Sequence, residues 1–173
     1  MQKRTDVETI FKNCRSNLLL LVALSGINVI LTIVNSGITF LFSATFPTFS
    51  VEIGKVFSEE FGDNVFFVIG IVIAFIVIAF YGICYLLSKK YKVFILVALV
   101  LFVFDTMLLL SFLTIDIDFA TIIDVVFHAW VIYCLAIGVK EWANFKKMPL
   151  YEDIIENEVP NDNQENDDAA QTP

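Results

Sequence analysis

The chain has 173 residues, 58% of them hydrophobic, and its mean hydropathy is +0.79. These values exceed what a water-soluble core requires and exclude an ordinary soluble domain. The net charge of −8 arises in the C-terminal segment, because eight of the 19 acidic residues follow position 147 and no Lys or Arg accompanies them there. The rest of the chain is neutral and has no basic surface, so we expect no nucleic-acid partner.

Four apolar segments are each long enough, as helices, to cross a hydrocarbon core of about 30 Å. The sequence therefore predicts an all-α integral membrane protein with short amphipathic surface helices and a disordered acidic C-terminal tail. We place the four transmembrane (TM) helices at 18–38 (TM1), 65–88 (TM2), 93–114 (TM3) and 119–139 (TM4). The other divisions are a cytoplasmic N-terminal segment 1–17, an outer loop 39–64, a cytoplasmic loop 89–92, an outer turn 115–118, a cytoplasmic juxtamembrane segment 140–159 and a tail 160–173.

The segment before TM1 has an apolar face formed by Val7, Ile10, Phe11 and Cys14. This spacing predicts either a short helix lying on the membrane surface or a helical lead-in to the first span. Both interpretations stay open at this point.

TM1 carries a polar face, because Asn28, Thr32 and Ser36 repeat every four residues. Hydrogen-bonding side chains at this spacing are expected to turn toward other helices rather than toward lipid. The triplet 35–37 is expected to loosen the helix near its end.

The outer loop contains a second helical pattern within 47–64. Its spacing predicts an amphipathic helix on the outer surface of the membrane. TM2 is apolar on all sides, so we expect it to face lipid, with Gly70 and Ala74 as a small-residue packing face. The apolar positions of the loop helix are Phe49, Ile53, Val56, Phe57 and Phe61, and the polar positions opposite them are Glu52, Lys55 and Glu59.

The Lys and Arg residues near the span ends predict the orientation. The N-terminal segment, the 89–92 loop and the C-terminal flank hold ten of the 11, and the two remaining loops hold only Lys55. Because basic residues concentrate on the cytoplasmic side, we expect a multi-pass protein of the cell membrane with both termini in the cytoplasm.

Ionisable side chains occur within TM3 and TM4, where lipid disfavours them. Asp105 and His128 are equidistant from the turn at 115–118, so in an antiparallel hairpin they should meet at matched depth. Asp124 lies one helical turn from His128 on the same face. Together with Asn28 and Thr32, these side chains predict a polar cluster among TM1, TM3 and TM4.

Three interpretations of this cluster compete. The first is a hydrogen-bonded network that fixes helix pairing, and the second is a cation or proton site, supported by the acidic outer loops. The third is a metal centre formed by Asp105, Asp124 and His128, which the presence of a single His disfavours. We therefore expect no metal and no cofactor.

Catalytic motifs are missing from the sequence: it has neither a GxSxG elbow nor a phosphate-binding loop. Ser111 differs in depth from His128 by about 9 Å at helical rise, which is too far for a nucleophile and its base. The sequence does not predict an enzyme.

The chain resembles small four-span membrane proteins of Gram-positive bacteria over residues 15–149. This resemblance implies a four-span fold and a bacterial membrane, and it carries no catalytic or binding residues. The strings that carry it are 15–20 (RSNLLL), 40–44 (FLFSA), 105–106 (DT), 124–130 (DVVFHAW) and 139–142 (VKEW).

The function expected from these features is that of a non-enzymatic accessory, regulatory or interaction protein. Its partners would be the lipid bilayer, another membrane protein, a cytoplasmic protein bound through the acidic tail, or a second copy of the chain. The alternative is a cation- or proton-conducting carrier or channel that uses the Asp/His cluster.

Overall fold

The computed structural model describes residues 4–38, 40, 42–113 and 119–145, which form five helices. Four of these are long and apolar enough to cross a membrane, so the all-α four-span fold is confirmed. The predicted outer turn 115–118 and the tail 160–173 lie outside the described residues. The helices are α1 (Arg4–Ile33), α2 (Thr45–Phe61), α3 (Val65–Leu87), α4 (Val93–Leu113) and α5 (Phe119–Phe145).

The long helices form a ring in which α1 and α4 each pack against both α3 and α5. We call the end of this bundle at which α1 begins and α5 ends the terminal end, and the opposite end the distal end. Apart from a buried polar cluster, the core between the helices is apolar, as expected for packing in lipid. Its largest fully buried side chains include Leu18, Leu21, Ile95, Phe102 and Leu135.

The first span differs from the predicted range 18–38, because α1 is one continuous helix whose apolar span runs from Val7 to Ile33. Val7, Phe11 and Cys14 are buried, and the Cys14 thiol donates a hydrogen bond to the Cys134 carbonyl at 2.8 Å. The lead-in interpretation is therefore confirmed, and the separate surface helix is wrong. Cys14 thus has its partner on α5, whose helix also continues beyond the predicted end at 139.

A C-terminal cap ends α1 five residues before the predicted boundary. Asn35 adopts the left-handed conformation (φ 57°), and the Ser36 and Asn35 N–H groups bond the carbonyls of Leu31 and Thr32. This is the Schellman arrangement, which Asn tolerates because its side chain is compatible with positive φ. The triplet 35–37 thus ends the helix.

The chain then turns back into the bundle instead of remaining at the distal end. The Ala44 N–H donates to the Ser25 hydroxyl at 2.8 Å. Since Ser25 lies eight residues before Ile33, α2 begins about 12 Å below the end of α1. The predicted amphipathic helix is present as α2, but it begins inside the bundle and not at the distal end, because polar groups on α1 draw its start inward. We call residues 34–61 the re-entrant segment.

The large apolar side chains of α2 do not form its packing face. Its buried residues are Pro47, Val51 and Gly54, whereas Val56 and Phe61 are exposed. The reason is the close approach of α2 and α3. A Cβ atom on Gly54 would lie 2.6 Å from the Phe66 carbonyl oxygen, so only small residues fit between the two helices.

The predicted packing face of TM2 is confirmed, because Gly70 and Ala74 are buried. Gly70 contacts the backbone of Ser50 and Gly54 on α2. In the 18-residue apolar stretch of this span, 17% of the residues are buried inside the bundle, against 28% in each of the other three spans, as expected for the span that faces outward most. At the terminal end, Arg15 joins α1 to α3 by donating to the Ser88 hydroxyl at 2.9 Å.

Adding a methyl group at the α2–α3 contact should destabilise the protein. We expect Gly54→Ala to lower the free energy of unfolding in detergent by about 1–3 kcal/mol, because the two backbones must separate. Gly82→Ala is the matched control, since a Cβ there meets no atom within 4 Å. It should be neutral or stabilising because Ala favours helix over Gly. Equal unfolding curves for the two variants would contradict the close approach.

Candidate functional site

The imidazole of His128 is fully buried and has a fixed orientation. Its ring stacks on Phe102, with 4.8 Å between ring centroids and 12° between the ring planes. Nδ1 lies 2.8 Å from the backbone carbonyl oxygen of Asp124. Because a carbonyl only accepts hydrogen bonds, Nδ1 carries a proton. The four-residue spacing therefore places the His128 ring against the backbone carbonyl of Asp124 and not against the Asp124 carboxylate.

The other ring nitrogen of His128 faces Asp105. Nε2 lies 3.1 Å from Oδ2 of Asp105, so the predicted meeting of the two residues at matched depth is confirmed. With Nδ1 protonated, a contact between Nε2 and the carboxyl group requires one further proton between them. Whichever atom holds that proton, the pair as a whole carries no net charge. Neutrality reduces the cost of burying both groups at membrane depth.

The carboxylate of Asp105 also caps the start of α2. Oδ2 accepts the Thr45 N–H at 2.9 Å, and Oδ1 accepts the Phe46 N–H at 2.7 Å. The first N–H groups of a helix have no partner within it, and Ala44 at the N-cap position supplies no side-chain acceptor. Asp105 supplies that acceptor from another helix, and its negative charge also faces the positive end of the helix dipole.

The polar face of α1 forms hydrogen bonds with the link between α1 and α2, which ends at Ala44. The Asn28 amide nitrogen donates to the Phe40 carbonyl and to the Ser43 hydroxyl, both at 2.6 Å, and Asn28 Oδ1 accepts the Phe40 N–H at 2.7 Å. Asn28 is 1% exposed, and Ser25 on the same face binds Ala44. Asn28 therefore pairs with the backbone of the re-entrant segment and does not contact Asp105 or His128.

The two remaining predicted residues lie at the edge of the cluster. Thr32 donates to the Asn28 carbonyl in its own helix at 2.9 Å. The Asp124 carboxylate accepts the Phe42 N–H at 3.4 Å, which is a long and weak hydrogen bond. Neither side chain joins the contact between Asp105 and His128.

The sequence did not predict the hydrogen-bond partners of the cluster residues. The partners of Asp105 and Asn28 are mostly backbone groups of residues 40–46, and backbone groups leave no mark in a sequence. Ser25 could have been identified, because it lies three residues before Asn28 on the same helical face. Tyr81 on α3, which is buried and interacts electrostatically with Asp105, was not among the residues predicted to form the cluster.

The distal rim of the re-entrant segment carries charges that the sequence assigned to the outer surface. Lys55 donates to the Asn35 side-chain oxygen at 2.6 Å and so ties α2 to the end of α1. Desolvation raises the pKa of the Glu52 carboxyl despite the opposing effect of Lys55. Glu59, Glu60 and Asp63 are exposed around this rim.

Metal binding gains no support from the geometry. Across residues 4–38, 40, 42–113 and 119–145, no three His, Cys, Asp or Glu side chains are grouped so that they could hold a metal ion. Asp105 and His128 are directed at each other and at α2, and Asp124 is turned toward Phe42.

Comparison of the chain with models of known protein families, with curated proteins and with solved structures finds no match. The function must therefore be argued from the geometry of the chain itself.

The contacts of Asp105 and Asp124 predict different costs of mutation. Asp105→Asn should destabilise the protein by about 3–5 kcal/mol, because it leaves His128 and two helix N–H groups without their charged partner. Asp124→Asn removes one long contact and should cost less than about 1 kcal/mol. The measurement is equilibrium unfolding in mixed detergent micelles.

A double-mutant cycle controls for local disruption. Asp105→Asn and His128→Asn should show a coupling energy of about 1–3 kcal/mol, as expected for residues in direct contact. Additive effects of the two substitutions would show that the pair does not stabilise the fold.

Proposed function

We propose that this chain is a non-enzymatic small membrane protein that acts by interaction, as an accessory or regulatory subunit. The observation that carries the proposal is that the residues of the polar cluster bind other parts of the same molecule. Asp105 binds His128 and the start of α2, and Asn28 binds the link before it. These contacts favour the first of the three interpretations, a network that fixes the positions of the helices, and leave the surface of the bundle to act on partners.

The distal end offers one such surface. Phe57, Phe61 and Phe66 form an aromatic cluster with ring centroids 5.4–6.2 Å apart, and all three are exposed. Aromatic side chains at this position suit either the membrane–water boundary or the side of another membrane protein. The acidic C-terminal segment, which lies outside the described residues, supplies a second contact through its charge.

The cellular location forms part of the proposal. The distribution of Lys and Arg supports a cell membrane location with both termini in the cytoplasm. With that orientation, the terminal end faces the cytoplasm and the re-entrant segment enters from the outside. The resemblance to small four-span proteins of Gram-positive bacteria supports a bacterial source.

A second candidate is a proton- or cation-conducting carrier or channel, and one observation favours it. The contact between Asp105 and His128 requires a proton that both groups can hold. Loss of that proton would place a lone pair of Nε2 against a carboxylate, weaken the contact and loosen the start of α2. Carriers use protonation changes of this kind at intramembrane Asp and His residues.

Removal of the acidic segment tests the interaction proposal. Deleting residues 150–173 should abolish co-purification of partners after chemical cross-linking in native membranes, while thermal unfolding of the bundle stays unchanged. A full-length control with Asn or Gln at the eight acidic positions of 152–168 separates charge from length. Unchanged partners in both variants would contradict a role for the acidic segment.

A flux measurement tests the second candidate. In proteoliposomes under an imposed pH gradient, the interaction proposal predicts no proton flux from the wild type above that of protein-free vesicles. Flux that disappears in Asp105→Asn and His128→Ala, with both variants still inserted and folded, would instead support conduction through the cluster.

A further inference from the structure

An apolar cavity of about 520 Å³ lies beside the polar cluster, between the start of α2 and the helices α3 and α4. This volume falls within the range of about 300–1,000 Å³ that is typical of small-molecule sites. The cavity reaches the lipid-facing surface of the bundle, because Phe104 and Met107 on its rim are 66% and 60% exposed. Its lining consists of Phe46, Val77, Tyr81, Leu101, Phe104, Asp105, Met107, Leu108 and Ser111.

A hydrogen-bond donor without a partner lines this cavity. Tyr81 is 3% exposed as a residue, and its hydroxyl makes no hydrogen bond within the described part of the chain; the hydroxyl oxygen itself is not fully buried. Buried tyrosine hydroxyls in proteins usually have a partner. The hydroxyl of Tyr81, on the cavity wall, is therefore available to a molecule in the cavity.

A free acceptor position accompanies this donor. Oδ1 of Asp105 accepts the Phe46 N–H, and a carboxylate oxygen can accept a second hydrogen bond. Asp105 lines the same cavity as Tyr81, and the two side chains interact electrostatically. The cavity thus presents a donor and an acceptor in an otherwise largely apolar wall.

We propose that the cavity binds an uncharged lipid with a free hydroxyl group, of the diacylglycerol type. A hydroxyl matches both partners, because it accepts from Tyr81 and donates to Oδ1 of Asp105. The acyl chains lie along the apolar wall and leave through the lipid-facing rim.

The depth of the polar pair selects against ordinary phospholipids. Asp105 lies eight residues before the end of α4, about 12 Å of helical rise inside the distal end. A charged phosphate head group placed there would lose its hydration, which opposes binding. An uncharged hydroxyl does not carry this cost.

Photo-crosslinking of the full-length protein in lipid nanodiscs tests the proposal. The probe is a diacylglycerol with a diazirine in one acyl chain, and we expect labelling of cavity residues on α3 and α4. Tyr81→Phe removes only the hydroxyl and should reduce labelling roughly five-fold, as expected for one hydrogen bond. Leu108→Trp fills the cavity and should abolish labelling.

Two matched controls separate a specific site from surrounding lipid. Val72→Trp adds the same bulk to the exposed face of α3, away from the cavity, and should label like the wild type. A probe whose hydroxyl is methylated, and a phosphatidylglycerol probe with the same diazirine chain, should both label the cavity weakly. Equal labelling by all three probes, or equal labelling of wild type, Tyr81→Phe and Leu108→Trp, would overturn the proposal.

Discussion

The interaction on which the structure depends is the capping of α2 by Asp105. A helix that begins inside a membrane exposes N–H groups that lipid cannot satisfy. Asp105 satisfies the first two, and His128 balances the charge that this requires. The imidazole is in turn held by stacking on Phe102 and by the Asp124 carbonyl. The re-entrant course of the chain follows from this arrangement, because without it the start of α2 would be more stable in water.

Close backbone packing provides the second constraint on the re-entrant segment. Gly54 and Gly70 allow α2 and α3 to approach until no side chain fits between them. Packing of this kind replaces the hydrophobic effect, which gives little driving force between helices surrounded by lipid. The large residues of α2, such as Val56 and Phe61, consequently face outward. The amphipathic pattern was real, but its apolar side contacts the surroundings and its small residues contact the protein.

The polar groups of the bundle divide into those that the fold uses and those that it leaves available. Asn28, His128 and most of the Asp105 carboxylate are engaged by neighbouring elements, which supports a structural role for the cluster and an interaction role for the surface. Tyr81 differs, because a hydroxyl on a cavity wall is not needed to hold the helices together. The proposed interaction role and the proposed lipid site would in this way be combined in one bundle.

The sequence by itself determined the four spans, the all-α class, the low burial of α3 and the pairing of Asp105 with His128. These features follow from hydropathy, helical periodicity and equal distance from a short turn, all of which are local properties. Only the tertiary structure decided that residues 34–61 turn inward, that Asn28 binds a loop and that Tyr81 faces a cavity. The physical reason is that the partners of the buried polar side chains are backbone N–H and C=O groups, and that Tyr81 faces a cavity and not another side chain. Every residue type carries the same carbonyl group, so sequence spacing cannot indicate which one a buried side chain will reach.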